Sequence, residues 1–144
     1  MTEESKAEVG IVIVSYADYG SAMLRAAESI LGPISDCTSV SVGMENNVSD
    51  IVRRLDDAVN RLDRGVGVII LTDMFGGTPA NIALSLLGSH SQLEVVTGVN
   101  LPMLLKVFTL RDRKLAELSH IACEAGANSI FVAGELLHEK NQKT

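Results

Sequence analysis

Leu71-Thr72-Asp73-Met74-Phe75-Gly76-Gly77-Thr78-Pro79-Ala80-Asn81 decides how this chain folds. Val66 to Leu71 leads into it with no charge, the pattern of a buried strand. Asp73 stands at the carboxyl end of that strand. Gly76 and Gly77 permit a tight backbone path that a Cβ would obstruct. Thr78 is suited to capping a helix and Pro79 to its first turn. The stretch reads strand, glycine turn, helix. It predicts an acid at a strand tip beside free helix N–H groups, an arrangement that orients a nucleophile and holds an anion.

Working outward, the same alternation recurs on both sides. Val9 to Val14 is a β-branched strand, followed by the small-residue loop Ser15 to Gly20. Ser21 to Leu31 then has Met23, Leu24, Ala27, Ile30 and Leu31 at helical spacing, and Gly32-Pro33 stops it. Cys37 to Val42 is a second strand. Val48 to Leu62 is an amphipathic helix with Ser49 as its cap, and its charged residues form a solvated face. Beyond the decisive stretch come a helix to Leu87, a strand Leu93 to Thr97, helices near 102–110 and 113–125, and a last strand Ser129 to Ala133. This order predicts an α/β fold, a mostly parallel sheet between helix layers. Ligands of such sheets bind at the carboxyl ends of strands where chain direction reverses. The ends of the first and third strands are therefore the expected site. One domain is expected over 9–134, between polar tails at 1–8 and 135–144.

Composition removes several function classes. The formal net charge is −6 and Lys and Arg form no cluster, so nucleic-acid binding is not expected. Cys37 and Cys123 stand apart and read as two small buried thiols rather than a disulfide. The start lacks the apolar core of a signal peptide, and no apolar run reaches bilayer length. A cytoplasmic protein without membrane insertion is expected. No carboxylate–histidine cluster suggests a metal, and the first loop lacks the hydroxyl-rich cradle of a flavin site. No cofactor is expected.

Leu71-Thr72-Asp73 with Gly76-Gly77-Thr78-Pro79-Ala80-Asn81, together with Thr97-Gly98-Val99-Asn100-Leu101-Pro102-Met103-Leu104, carries a resemblance. From Val9 to about Val132 the chain resembles the enzyme IIA component, mannose family, of the phosphoenolpyruvate-dependent sugar phosphotransferase system. The resemblance implies a flavodoxin-like three-layer sandwich and a homodimer with an exchanged antiparallel edge strand. It also implies a phosphoryl carrier between HPr and a IIB component. In that family an aspartate at the place of Asp73 orients the acceptor histidine. The resemblance likewise implies that the turn at Gly76, Gly77 and Thr78 holds the phosphoryl oxygens.

One position departs from the pattern. The family ends its first strand in Thr-His-Gly, whose histidine accepts the phosphoryl group; here Ser15-Tyr16-Ala17 stands there. His90, His120 and His138 do not fill the gap. Imidazole is a free nucleophile at neutral pH, whereas phenol titrates near 10, and a nearby carboxylate would raise it further. A phosphorylated imidazole has a labile P–N bond, but a phosphotyrosine is a stable ester and a poor relay. Three placements of Tyr16 are open: its hydroxyl on Asp73, its hydroxyl inside the anion pocket, or the ring merely packed over the cleft. Three functions are open as well. The first is a degenerate, regulatory or partner-binding IIA protein. The second is a working phosphotransferase, with Tyr16 an introduced change or another group substituting. The third, weakly supported, is a receiver-like domain phosphorylated on Asp73.

Overall fold

The computed structural model describes residues 6–142. Residues 1–5 of the expected first tail and 143–144 of the second lie outside them. The elements are β1 (Gly10–Tyr16), α1 (Tyr19–Leu31), β2 (Cys37–Val42), α2 (Val48–Leu62), β3 (Val68–Thr72), α3 (Thr78–Ser85), β4 (Leu93–Thr97), α4 (Leu101–Thr109), α5 (Leu115–Ala127) and α6 (Ala133–Gln142). The four strands form one parallel sheet in the order β2-β1-β3-β4. Val14 lies beside Val40 on one side and Thr72 on the other.

Alternation along the strands splits the core between two faces. Val12, Val14, Val68 and Ile70 pack with Ile51, Leu55 and Val59 of α2 and Ile82 of α3. Ile11, Ile13, Ile69 and Leu71 pack with Ala27 of α1, Met103, Leu104 and Val107 of α4, and Leu118 of α5. This is the expected flavodoxin-like three-layer sandwich. The chain leaves β1 toward β2 on one side and returns to β3 on the other. The carboxyl ends of β1 and β3 therefore flank a switch point.

Four local expectations are corrected. The cap of α2 is Asn47, whose side chain accepts from the Ser49 N–H at 2.9 Å; Ser49 lies inside the helix. Cys123 is exposed and Cys37 half-buried, so neither is a fully buried thiol; desolvation still pushes the Cys37 thiol up. Residues 129–132 are not a strand in the single chain, and α6 starts at Ala133. A strand needs a hydrogen-bonding neighbour, and among the described residues the sheet β2-β1-β3-β4 does not include this stretch. Ile130, Phe131 and Val132 are 78, 63 and 66% exposed. The expected polar tail is largely the helix α6, which buries none of its residues.

Candidate functional site

The site assembles where β1 and β3 end. Tyr16 is the last residue of β1 and is 43% exposed. Its backbone N–H donates to Asp73 Oδ2 at 2.8 Å. The other oxygen of Asp73 accepts from the Met74 N–H at 2.9 Å. Asp73 thus holds the tip of β1 against the loop after β3. Ala17 follows in the left-handed region at φ 48°, a strained choice for a residue with a Cβ, costing about 1 kcal/mol. It is fastened by its N–H to the Val42 carbonyl at 3.1 Å and by its carbonyl, which accepts from the Ser41 hydroxyl at 2.6 Å. This bend sends the chain into α1 and leaves Tyr16 at the rim.

The Tyr16 hydroxyl oxygen accepts from the Thr78 N–H at 3.1 Å. Of the placements open from the sequence, the hydroxyl lies at the turn before α3 rather than on Asp73. The carboxylate of Asp73 takes the backbone of Tyr16, not its hydroxyl. The expected helix cap changes accordingly. Gly77, not Thr78, precedes the first helical residue, and no side chain of its own caps the helix. The phenol oxygen supplies an acceptor from across the cleft instead. Gly76 makes the turn possible at φ +86°. Gly77 makes the fit possible, because a Cβ there would lie 3.2 Å from Tyr16 Cε2 and 3.4 Å from its hydroxyl oxygen.

The phenol acidity runs opposite to the sequence expectation. Hydrogen bonds from the Thr78 side chain, and then from its N–H, lower the Tyr16 pKa from its ordinary value. Partial desolvation and the charge of Asp73 push upward but are outweighed. The N–H and hydroxyl donors touch the oxygen on which charge develops, whereas the carboxylate is spent on backbone N–H groups.

Tyr16, Asp73, Gly77 and Thr78 are therefore brought together, with Gly76 shaping the turn. Two cavities flank the tyrosine. One, of about 440 Å³, is bounded by Val42, Met44, Val48, Ile51 and Thr78. The other, of about 470 Å³, is bounded by Tyr19, Ala22, Met23 and Leu101. A larger groove of about 660 Å³ between α4 and α5 includes none of the site residues. Tyr19 was missed in the sequence reading. Its hydroxyl donates to the Val99 carbonyl at 3.0 Å and ties the first loop to the end of β4. Its one signal was being the second of only 2 tyrosines, three residues from the first. His90 pairs with Asp56 at 2.7 Å, His120 lies on α5 and His138 on α6. Among the described residues no helix is long and apolar enough to cross a membrane.

Comparison with known proteins places this geometry in context. Residues 10–122 match the sequence profile EIIA-man, described as PTS system fructose IIA component. The phosphotransferase enzyme IIA component YadI of Escherichia coli (strain K12), so named provisionally, is 34% identical over 106 residues, 72% of this chain and 71% of that protein. The mannose-specific EIIAB component of the same organism is 28% identical over 85% of this chain, which spans 38% of that longer protein. Among solved structures, the PTS IIA protein associated with the fucose utilization operon from Streptococcus pneumoniae matches with a TM-score of 0.79 at 29% identity, covering 93% of this chain and 99% of that one. The EIIA component from Streptococcus agalactiae shares the fold, with a TM-score of 0.81 at 21% identity, over 88% of this chain and 98% of that one.

Proposed function

Because the chain belongs to the EIIA-man family of the sugar phosphotransferase system, we propose that it is a IIA component that binds and regulates partner proteins without relaying phosphate. The partners in this reading are HPr and IIB-type components, met in the cytoplasm. Asp73 holds the strand-end residue, and Gly76, Gly77 and Thr78 form the phosphoryl-holding turn. One observation carries the reading: the residue at the tip of β1, where the family resemblance puts the acceptor histidine, is Tyr16, and its oxygen is hydrogen-bonded to the Thr78 N–H at 3.1 Å. A phosphoryl group on that oxygen would be a phenol ester, too stable to hand onward.

The same reading includes a homodimer. The stretch 130–132 presents three apolar side chains to solvent, and β4 has a strand on one side only. A second copy can satisfy both through an exchanged strand.

The test is phosphotransfer from labelled phosphoenolpyruvate through enzyme I and HPr, run on this chain and on Tyr16→His. The expected result is label on the variant alone, as an acid-labile phosphohistidine. Label on the unaltered chain that passes to a IIB component would overturn the reading.

A further inference from the structure

We infer that Tyr16 is an internal ligand: its phenol oxygen sits where a phosphoryl oxygen would be held at the start of α3 and closes that seat to anions. The inference rests on the reading of residues 76–78 as the phosphoryl-holding turn and states how that site is regulated.

Three observations converge. The oxygen accepts from the Thr78 N–H at 3.1 Å, the donor that a bound anion would use. The ring lies against Gly77 so closely that a Cβ there would come 3.2 Å from Cε2, so turn and ring are fitted to each other. The backbone of Tyr16 is pinned by Asp73 at 2.8 Å, and Ala17 beyond it is fastened on both its N–H and its carbonyl. The backbone from which the ring projects is thereby held in place. The donors of Thr78 also make the phenol more acidic than usual, the response expected of an oxygen in an anion-holding seat.

The physical advantage of the internal oxygen is that no second molecule has to be ordered. A free anion must lose its translational freedom and displace the ring as well, whereas the tethered oxygen is always present at high effective concentration. In a carrier, partner binding alternates with the phosphorylated state. Here the seat is filled permanently by a neutral oxygen, so the face around it offers one state to every partner, whatever the phosphoryl supply.

The experiment is titration of the isotopically labelled full chain with inorganic phosphate, following the Thr78 backbone amide by NMR, for the unaltered chain, Tyr16→Ala and Tyr16→Phe. Tyr16→Ala empties the seat and is expected to bind phosphate at Thr78 at least about tenfold more tightly than the unaltered chain. Tyr16→Phe keeps the ring and loses only the oxygen. Its Thr78 amide is expected to shift and to exchange with solvent about tenfold faster, with the β1 amides unchanged. Equal phosphate binding by the unaltered chain and Tyr16→Ala would leave the seat in place and overturn the internal ligand. A folded Tyr16→Ala with no phosphate response would overturn both the seat and this inference. A Thr78 amide unmoved in Tyr16→Phe would overturn the contact itself.

Discussion

A phenol oxygen that receives hydrogen bonds from a peptide N–H and a hydroxyl is easier to ionise than one in water. The folded pKa of Tyr16 is therefore below the 10.0 of the free side chain. Between the two values the folded chain is ionised at Tyr16 and the unfolded chain is not, so the unfolded state binds more protons. Stability consequently rises with pH across that window. The contribution is complete above pH 10 and is lost as pH falls through the folded value. Absorbance titration in a Tyr19→Phe background should place the Tyr16 midpoint below 10, and Thr78→Ala should move it back up. A midpoint at or above 10 in the unaltered site would mean that the charge of Asp73 prevails. At this scale the sequence showed which residues would meet but not which atoms. Tyr16 continues the alternation of Val12 and Val14 toward α3, and that register, set by pairing with a strand far along the chain, directs the hydroxyl to Thr78.

Among the elements, those whose ends are set by nearby residues were read most closely. Cys37–Val42, Val48–Leu62 and Leu93–Thr97 have the limits their own residues predict. β3 begins later than its apolar run, because Gly65 and Gly67 adopt φ of 93° and 95° and keep the approach out of the strand. The start of α4 combines a local and a distant role. Asn100 accepts from the Met103 N–H at 3.0 Å as a cap, while its amide donates to the Gly126 carbonyl at 3.1 Å and to the Ser129 hydroxyl at 3.2 Å. It thereby fixes the chain as it leaves α5. Asn100→Ala is expected to cost about 1–2 kcal/mol in chemical denaturation, for a lost cap and two lost hydrogen bonds. A change within a few tenths would show that neighbouring groups replace both.

At the scale of the whole molecule, the apolar stretch 130–132 is exposed in the single chain and is the place where the proposed homodimer can be tested. Its apolarity was legible as strand character, but a strand's partner is not written in the strand, and among the described residues it pairs with none. Burying three large apolar side chains in a second copy would contribute about 1.5–3 kcal/mol each. Phe131→Asp is expected to shift sedimentation from dimer to monomer while leaving the far-ultraviolet spectrum of the sheet and helices in place. A monomer for the unaltered chain at micromolar concentration would remove the exchanged strand from the description. Elsewhere the assembly is held internally. The Arg111 guanidinium, 4% exposed, donates to the carbonyls of Val9 at 3.0 Å, Ser35 at 2.6 Å and Asp36 at 2.7 Å, clamping the starts of β1 and β2 to the end of α4.

The strand order has a consequence in time as well as in space. A ribosome completes β1 early, yet one of its two neighbours, β3, lies more than fifty residues downstream: the contact that joins Tyr16 to Asp73 spans 57 positions. Until Thr72 has emerged, β1, with Ile11 to Val14 fully buried in the finished fold, has one flank without hydrogen bonds. Pairings of such long reach are slow to form. A nascent chain stalled before Val68 is therefore the species most exposed to aggregation, and helices α1 and α2, formed from local sequence, are the shelter it has in the meantime.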